Sequence, residues 1–435
     1  MSTQHYDAIV VGTGPGGAGV ARDLARAGRR VLLLERGRDW RGHPFYGTYA
    51  GALLYADRHA LLFTKEGLQI VRPLMVGGAT TMYAGCSAPP PAWLRDRHHV
   101  DITGEAEELA RELHVAPLDA SLRGAASTRI AEAASTLGMD WLPQDKFMMP
   151  ARAHPFDCGA RCLLGCRCGA KWTAAEFVDD AVAAGAELRT RTRVSRVLLE
   201  DGVAVGVGGR TAGAPFEARA DHIILAAGGL ASPMLLRTAG IDAGHGVAMD
   251  TTVMVYGSGS APGMGEDPPM TWSCEDAELD VMYSTLIDPW LMYPIIMAVK
   301  GPAWPLTWPR WGRTLGVMIK LRDEVSGGID SRGKVSKGLS RGDAARLDRA
   351  EQVARSILIA AGCNEDSLIR TPLRGTHPSA TARIGDVVDA HLATAVRNLY
   401  VCDASVFPEA LGRPTVLTIL ALARRLARRL AAQHT

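Results

Sequence analysis

A glycine-rich turn between an apolar run and an amphipathic segment constrains this chain most. The apolar run ends at Val11, and residues 12–17 match the pattern G-x-G-x-x-G. Residues 16–27 predict a helix, because Val20, Leu24 and Ala27 recur at helical spacing. Residues 30–34 predict a second, fully buried strand. This order predicts a β-α-β unit whose helix N-terminus faces a pyrophosphate.

Each glycine of the turn has a separate expected role. Gly12 permits the tight turn, Gly14 lets the backbone approach a pyrophosphate, and Gly17 lets the helix pack closely on the strand. Glu35 lies 18 residues after Gly17, at the end of the second strand. Its carboxylate suits two ribose hydroxyls and repels a 2′-phosphate, which disfavours NADP. This unit alone leaves FAD and NAD open.

The overall composition limits the kinds of molecule that the chain is expected to bind. The 435 residues are 47% hydrophobic, as expected for a globular protein of two or more domains. Lys and Arg number 48 against 46 Asp and Glu, so a net charge of +2 gives no case for nucleic-acid binding. Neither a signal peptide nor an apolar run of about 18–20 residues is visible. We therefore expect a cytoplasmic protein and leave a peripheral membrane contact open.

The rest of the chain predicts an α/β fold with a second domain built on a sheet. Helices are predicted over 340–361 and 415–432, and strands over 222–226 and 398–401. Residues 249–321 differ in composition from the rest of the chain, because Trp, Tyr, Met and Pro occur there in strand-like segments. The predicted organisation is a discontinuous, Rossmann-like FAD-binding domain of residues 1–95, 150–245 and 370–435, a helical segment of 96–149 and a substrate domain of 246–369.

Motifs in several parts of the chain together resemble the glucose–methanol–choline (GMC) family of flavin oxidoreductases. The residues that carry the resemblance are Gly77-Gly78, Ala227-Gly228-Gly229, Thr376-His377-Pro378, the run from Asn398 to Pro408, and Pro414-Thr415-Val416. They follow the order of the family, whereas the central residues 246–340 match little. The resemblance implies FAD as the cofactor and alcohol oxidation as the usual chemistry.

The resemblance also assigns cofactor contacts. It places Gly77 and Gly78 beside the flavin, Asp403 near the pyrophosphate and ribityl chain, and Val194 on a strand whose backbone pairs with the adenine. Thr415 and Val416 should lie against the flavin ring. Some relatives attach the flavin to a histidine near the Gly77-Gly78 segment. This chain has no histidine at residues 79–82, so we expect non-covalent FAD.

Two residues are expected to act on the substrate. His377 matches the active-site histidine of the family, and a neutral imidazole can take the hydroxyl proton while a hydride passes to flavin N5. Arg413 stands where the family has an asparagine or histidine, and it cannot act as a base. It could stabilise an alkoxide, the reduced flavin or a substrate carboxylate. The alternative is a salt bridge between Arg413 and Glu409.

Four cysteines lie close together at positions 158, 162, 166 and 168. Thiolates at this density can hold an iron–sulfur cluster or zinc, and bare thiols are the third interpretation. Some GMC dehydrogenases hold a three-iron cluster in the corresponding region. If a cluster exists, its expected ligands are Cys158, Cys162 and Cys166, which share the longer and regular spacing, with Cys168 as a doubtful fourth.

Five tryptophans predict either a domain core or subunit interface, which is the first interpretation, or a bulky apolar substrate pocket. These residues are Trp272, Trp290, Trp304, Trp308 and Trp311, which fall within 40 residues and are interleaved with Met and Tyr. We expect dehydrogenation of an apolar hydroxylated molecule, with electrons passing to an external acceptor. The alternatives are a flavin reductase or desaturase acting on C=C bonds of a lipid, and an electron-transfer subunit.

Overall fold

The computed structural model describes residues 5–298, 301 and 304–433. Its strands are β1 (His5–Val11), β2 (Val31–Leu34), β3 (Leu62–Phe63), β4 (Gln69–Ile70), β5 (Leu142–Pro143), β6 (Glu187–Arg189), β7 (Thr192–Glu200), β8 (Val203–Thr211), β9 (Ala214–Leu225), β10 (His245–Val247), β11 (Thr251–Ser258), β12 (Trp272–Asp276), β13 (Val281–Thr285), β14 (Thr314–Leu321), β15 (Ser326–Ile329), β16 (Val335–Ser336), β17 (Ile369–Arg370), β18 (Arg374–Gly375) and β19 (Leu399–Val401).

The α-helices of the same residues are α1 (Pro15–Arg26), α2 (Tyr49–Tyr55), α3 (Ala92–His98), α4 (Thr103–Glu112), α5 (Ala125–Thr136), α6 (Ala174–Ala183), α7 (Ser232–Thr238), α8 (Tyr293–Met297), α9 (Arg341–Ala360) and α10 (Val416–Ala432). Short 3-10 turns join several of them. Within the described residues, no helix combines the length and the apolar character needed to cross a bilayer.

The first sheet has the order β6-β2-β1-β9-β8-β7, with β19 also paired to β9. Strands β6, β2, β1, β9 and β19 run parallel, and β7 and β8 continue from β9 as an antiparallel meander. Val11 lies opposite both Leu34 and Leu225, and Val401 lies opposite Leu225. The carboxyl ends of four parallel strands therefore meet at one edge, where such sheets bind ligands.

The second large sheet has the order β3-β4-β18-β11-β14-β13-β12-β5, with β17 beside β11. All eight residues of β14 are buried, because helix α9 and neighbouring side chains cover the centre of the sheet. A third sheet of three strands has the order β10-β15-β16. The predicted α/β class with a second, sheet-based unit is confirmed.

Several predicted elements are confirmed closely. Helix α9 runs from Arg341 to Ala360 and has Ser340 as its N-cap and Ala361 as its C-cap, so each bound lies within one residue of the prediction. Helix α10 begins at Val416, one residue after its prediction. Within residues 96–149, which were predicted to be helical, strand β5 pairs with β12 and so joins the second sheet. The domain boundaries themselves stay a prediction.

A buried ion pair holds the segment that follows β13 against the second sheet. Both terminal nitrogens of Arg374 donate to the Asp288 carboxylate at 2.8 Å, and the Tyr256 hydroxyl donates to it at 2.5 Å. Burial alone would raise the pKa of Asp288, but the charge and hydrogen bonds of Arg374 hold it below its ordinary value. The pair joins β18, β11 and the chain around residue 288.

We expect Arg374→Met to lower the free energy of unfolding by about 3–5 kcal/mol, because it leaves Asp288 buried without a partner. The stability that this pair contributes is present above the unfolded pKa of about 3.9 and is lost as the pH falls through the lowered folded pKa. Urea unfolding at pH 7, and at pH values from about 4 down to about 2, measures both effects. Adding Asp288→Asn should recover part of the loss, and a loss below about 1 kcal/mol in the single variant would contradict the prediction.

Candidate active site

The glycine turn packs against the chain that follows β9. Gly12 has a φ of +108°, and a Cβ atom there would lie 2.3 Å from the Ala226 carbonyl oxygen. A Cβ on Gly17 would lie 1.9 Å from the Gly12 carbonyl oxygen. Side chains at these positions would force the turn open. The turn therefore has the tight geometry predicted at Gly12 and the close helix–strand packing predicted at Gly17.

Gly14 differs from its neighbours because it faces open space. No atom lies within 4 Å of the position of a Cβ on Gly14, which is the N-cap residue of α1 and provides no side-chain cap. The first backbone N–H groups of α1 are thus free for an anion. Gly77 and Gly78 have φ of +93° and +53°, and a Cβ on Gly78 would lie 2.8 Å from Gly14 Cα. This cradle fits the pyrophosphate of FAD.

Glu35 is fixed at the end of β2. It accepts hydrogen bonds from the Thr13 hydroxyl at 2.6 Å, the Thr13 N–H at 3.2 Å and the Gly37 N–H at 2.7 Å. Burial raises its pKa, and these hydrogen bonds oppose the shift. The carboxylate is held beside the glycine turn, as an acceptor for ribose hydroxyls must be. Its binding role stays a prediction.

Asp403 joins the loops that follow β9 and β19. Its carboxylate accepts from the Gly228 N–H at 2.8 Å, the Ser232 hydroxyl at 2.5 Å and the Ser405 N–H at 2.8 Å. A Cβ on Gly16 would lie 1.8 Å from the Cys402 carbonyl oxygen. Asp403 therefore lies at the same sheet edge as the glycine turn, next to the start of α1.

The start of α10 reaches this edge as well. A Cβ on Gly16 would lie 3.3 Å from a methyl group of Ile419, which lies one helical turn after the buried Thr415. Thr415 and Val416 are 6% and 8% exposed. The N-termini of α1 and α10 thus lie side by side. The predicted contact of Thr415 and Val416 with the flavin ring stays a prediction.

Val194 lies near the beginning of β7, whose first residue, Thr192, donates its N–H to the Glu35 carbonyl oxygen at 2.8 Å. Val194 pairs with Gly209, and the register of the two strands shifts between Val194 and Arg196. The start of β7, with its bulge, therefore lies beside the strand end that carries Glu35. Pairing of this backbone with an adenine ring stays a prediction.

His377 lies in a hydrogen-bonded pair with a carboxylate that the sequence analysis missed. Its Nδ1 lies 2.7 Å from Asp250 Oδ2, and the Gly412 N–H donates to Asp250 Oδ1 at 2.8 Å. The Asp250 side chain is 1% exposed, and His377 is 25% exposed. Asp250 also has a φ of +46°, which is uncommon for a non-glycine residue and typical of functional sites. This pair is the centre of the candidate active site.

A buried lysine flanks the pair. Lys320 donates to the Thr376 hydroxyl at 2.6 Å and to the Thr252 hydroxyl at 3.3 Å. Burial lowers the pKa of His377, the charge of Lys320 lowers it further, and Asp250 opposes both effects. Burial also lowers the pKa of Lys320 itself. The environment thus favours a neutral imidazole, which is the form that accepts a proton.

The sequence carried a signal for both missed residues. Asp250 and Lys320 are single charged residues inside the otherwise apolar or hydroxylated runs 247–255 and 314–321. A charge within a buried strand needs a partner, and that requirement would have identified them.

Arg413 follows a residue that contacts the His377–Asp250 pair, and its side chain does not form the salt bridge with Glu409. Its guanidinium donates to Glu275 at 2.7 Å, whereas Glu409 pairs with Arg322 and Arg97. The alternative salt bridge between Arg413 and Glu409 is therefore wrong. The preceding residue, Gly412, donates to the Asp250 that holds His377. The chain at Arg413 is thus adjacent to the pair, and a catalytic role for its side chain stays a prediction.

The cysteine segment does not form a metal site in this structure. Among the described residues, no three or more His, Cys, Asp or Glu side chains converge in an arrangement that could hold a metal ion. The hydrogen bond with Cys158, together with burial, raises the pKa of Cys162 to about 11, and the hydrogen bond with Cys162 raises that of Cys166. The Sγ atoms of Cys166 and Cys168 lie 3.9 Å apart. The prediction of an iron–sulfur cluster on Cys158, Cys162 and Cys166 thus finds no support.

An open cavity of about 400 Å³ lies beside these cysteines. Its lining includes Arg41, Arg152, Arg167 and Cys166, and it does not include His377 or Asp250. Glu176 also lines the cavity and pairs with Arg152 at 2.9 Å, but the lining bases outnumber this one acid, so the cavity suits an anion better than an apolar molecule. This cavity is therefore separate from the candidate active site.

The aromatic segment is divided between the core and the surface. Tyr283 of β13 and Tyr293 of α8 are buried in the core beside the second sheet, and Trp272 packs against that core. Trp290 is 46% exposed, and its ring centroid lies 5.0 Å from that of Trp308. The side chain of Trp304 lies outside the described residues. The core interpretation therefore holds for part of the segment only.

Comparison with known proteins agrees with the geometry. Models of the N- and C-terminal regions of GMC oxidoreductases match residues 65–265 and 340–423, and an NAD(P)-binding Rossmann-like model matches residues 10–67. The chain belongs to the GMC oxidoreductases and is an FAD-dependent oxidoreductase. The expected family is confirmed.

Similar proteins cover most of the chain. An uncharacterized GMC-type oxidoreductase of Mycobacterium tuberculosis is 29% identical, over 97% of this chain and 75% of its own length. The long-chain-alcohol oxidase FAO4B of Arabidopsis thaliana is 24% identical, over 95% and 65%. The crystal structure of pyridoxine 4-oxidase from Mesorbium loti is similar in fold, with a TM-score of 0.71, 18% identity and 99% of each chain covered.

The two neighbouring glycines Gly14 and Gly16 should respond differently to alanine. We expect Gly14→Ala to keep its stability and to lose FAD, because its methyl group meets no protein atom and points where the pyrophosphate is predicted. Gly16→Ala should lose about 1–3 kcal/mol of unfolding free energy through the clash with Cys402. Urea unfolding and flavin content of both variants measure this. Full flavin content in a stable Gly14→Ala variant would contradict the predicted site.

Removal of the Lys320 charge should raise the pKa of His377, because that charge lowers it. In Lys320→Met we therefore expect the acidic limb of the kcat/KM profile to move to higher pH. Lys320→Arg keeps the charge and serves as the matched control, with its acidic limb near that of the wild type. An unshifted limb in a folded, flavin-loaded Lys320→Met variant would show that Lys320 does not act on His377.

Proposed function

We propose that this protein dehydrogenates a CH–OH group of a fairly apolar small molecule, with His377 as the proton acceptor. The observation that carries the proposal is the His377–Asp250 pair. Asp250 accepts the Gly412 N–H with one oxygen and lies 2.7 Å from His377 Nδ1 with the other. A carboxylate can only accept, so in the proposed mechanism Nδ1 donates to Asp250 and Nε2 keeps its lone pair.

The reaction divides between the protein and the cofactor. The substrate hydroxyl donates a hydrogen bond to His377 Nε2 and transfers its proton there as the C–O bond becomes a carbonyl. FAD held by Gly14, Glu35 and Asp403 would supply the hydride acceptor for the same carbon. Asp250 stabilises the imidazolium that forms, and it keeps the ring from turning. The product is the aldehyde or ketone, and the proton leaves His377 afterwards.

The similar proteins support a hydroxylated substrate of apolar character. The Arabidopsis relative is named as an oxidase of long-chain alcohols, and a 28% identical relative from Mycolicibacterium austroafricanum, matched over 54% of this chain and 51% of its own length, is named 2-methyl-1,2-propanediol dehydrogenase. Both names describe oxidation of a hydroxyl-bearing substrate. For this chain we propose an external electron acceptor that takes electrons directly from non-covalent FAD.

The function is tested with purified holoenzyme under argon. We expect aliphatic primary alcohols to bleach the flavin absorption, and an artificial acceptor to restore it with little peroxide formed in air. Acid denaturation followed by filtration should leave FAD in the filtrate. Stoichiometric peroxide would make the protein an oxidase instead. A flavin that no alcohol reduces, but that a protein redox partner does reduce, would overturn the proposal in favour of an electron-transfer subunit.

His377→Ala should lower turnover on the order of 10²–10⁴-fold, the usual contribution of a positioned acid or base, while flavin content stays unchanged. Steady-state kinetics and the flavin spectrum measure the two outcomes. The matched control is His245→Ala, which removes a second histidine–aspartate pair, with Asp242, whose side chains are 70% and 82% exposed. Near wild-type turnover in flavin-loaded His377→Ala would refute the role.

A further inference from the structure

Exposed apolar side chains are concentrated in two parts of the chain. Of the fifteen large apolar residues that are exposed among the described residues, ten lie within residues 45–71 and 290–306. Leu306 is 77% exposed, Ile295 64%, and Leu53 and Leu54 are each 49% exposed. A concentration of this kind marks an interaction surface, whereas scattered single residues do not.

The two parts adjoin in space. The Leu291 N–H donates to the Tyr49 hydroxyl at 3.2 Å, which joins residues 290–291 to helix α2. The rings of Trp290 and Trp308 lie 5.0 Å apart, which joins the same residues to the turn that carries Leu306. We define the apolar face as Leu53, Leu54, Trp290, Leu291, Ile295 and Leu306.

The charge around the apolar face is positive. Residues 289–313 contain no Asp or Glu. Arg310 and Arg313 are exposed, and neither makes an ion pair with any described residue. Glu266 and Arg161 both act on Tyr49 and with opposite effects, because Glu266 raises the pKa of its hydroxyl and Arg161 lowers it. The apolar face is therefore bordered by uncompensated arginines.

We propose that the apolar face docks on the surface of an anionic lipid bilayer. Exposed Trp, Leu and Ile side chains can enter the boundary between headgroups and acyl chains, and arginines at the rim bind anionic headgroups. A second copy of the chain fits the face less well. A two-fold contact would bring Arg310 and Arg313 of the two copies together without an acid in residues 289–313 to separate them.

The test measures binding of the holoenzyme to sedimented vesicles and needs no turnover, so it is independent of the proposed reaction. We expect binding to phosphatidylcholine vesicles with roughly one-third phosphatidylglycerol, and binding weaker by about tenfold on pure phosphatidylcholine or in molar salt. Arg310→Ser with Arg313→Ser should remove most of the preference for anionic vesicles.

Substitutions test whether the apolar face, and not another part of the surface, binds the vesicles. Ile295→Glu with Leu306→Glu should weaken vesicle binding by at least about tenfold, because two carboxylates would enter the interface. Leu137→Glu with Leu142→Glu is the matched control, since these residues are 47% and 60% exposed and lie outside the face. It should bind like the wild type.

Three outcomes would overturn the proposal. The first is a wild-type holoenzyme that does not bind anionic vesicles. The second is equal weakening by the control pair, which would mean that the face has no special part in binding. The third is a dimer in light scattering that Ile295→Glu with Leu306→Glu dissociates while vesicles stay unbound, which would assign the face to a second copy of the chain.

Discussion

Three backbone segments approach one another closely at one sheet edge, and the positions of α1, α10 and the cofactor cradle depend on this contact. The glycine turn after β1 lies against Ala226 after β9 and Cys402 after β19, at distances that exclude any Cβ on Gly12 or Gly16. Asp403 then joins the loops after β9 and β19 through its hydrogen bonds. This convergence fixes where α1 and α10 begin, and so defines the cradle for FAD.

A buried carboxylate connects this cradle to the chemistry. Asp250 precedes β11 of the second sheet, yet it binds His377 and the backbone of Gly412, which lies shortly before α10. Because α10 starts at the cofactor cradle, Asp250 couples the position of the imidazole to the FAD domain. Lys320 adds a buried positive charge nearby. Burial makes each of these interactions strong, because little water screens them.

Two predictions from sequence failed for one physical reason, which is that tertiary packing chooses the partners of a side chain. The four cysteines are dense in sequence, but metal binding needs ligands that converge on one point. Here the thiols contact one another in successive pairs, from Cys158 to Cys162, Cys166 and Cys168. Arg413 and Glu409 are close in sequence, yet each pairs with a residue that is distant in sequence: Arg413 with Glu275, and Glu409 with Arg322. Proximity along the chain therefore did not decide the partners.

The sequence by itself determined the α/β class, the β-α-β unit with its glycines, the bounds of α9 and α10 to within one residue, and the family whose motifs contain His377 and Asp403. These features follow from local periodicity and from short motifs, which a single stretch of chain carries. Only the tertiary structure decided that Asp250 holds His377 and that Lys320 lies beside it. Asp250 and His377 are separated by 127 residues. Long-range pairs of this kind depend on how sheets and helices pack, and no local pattern records them.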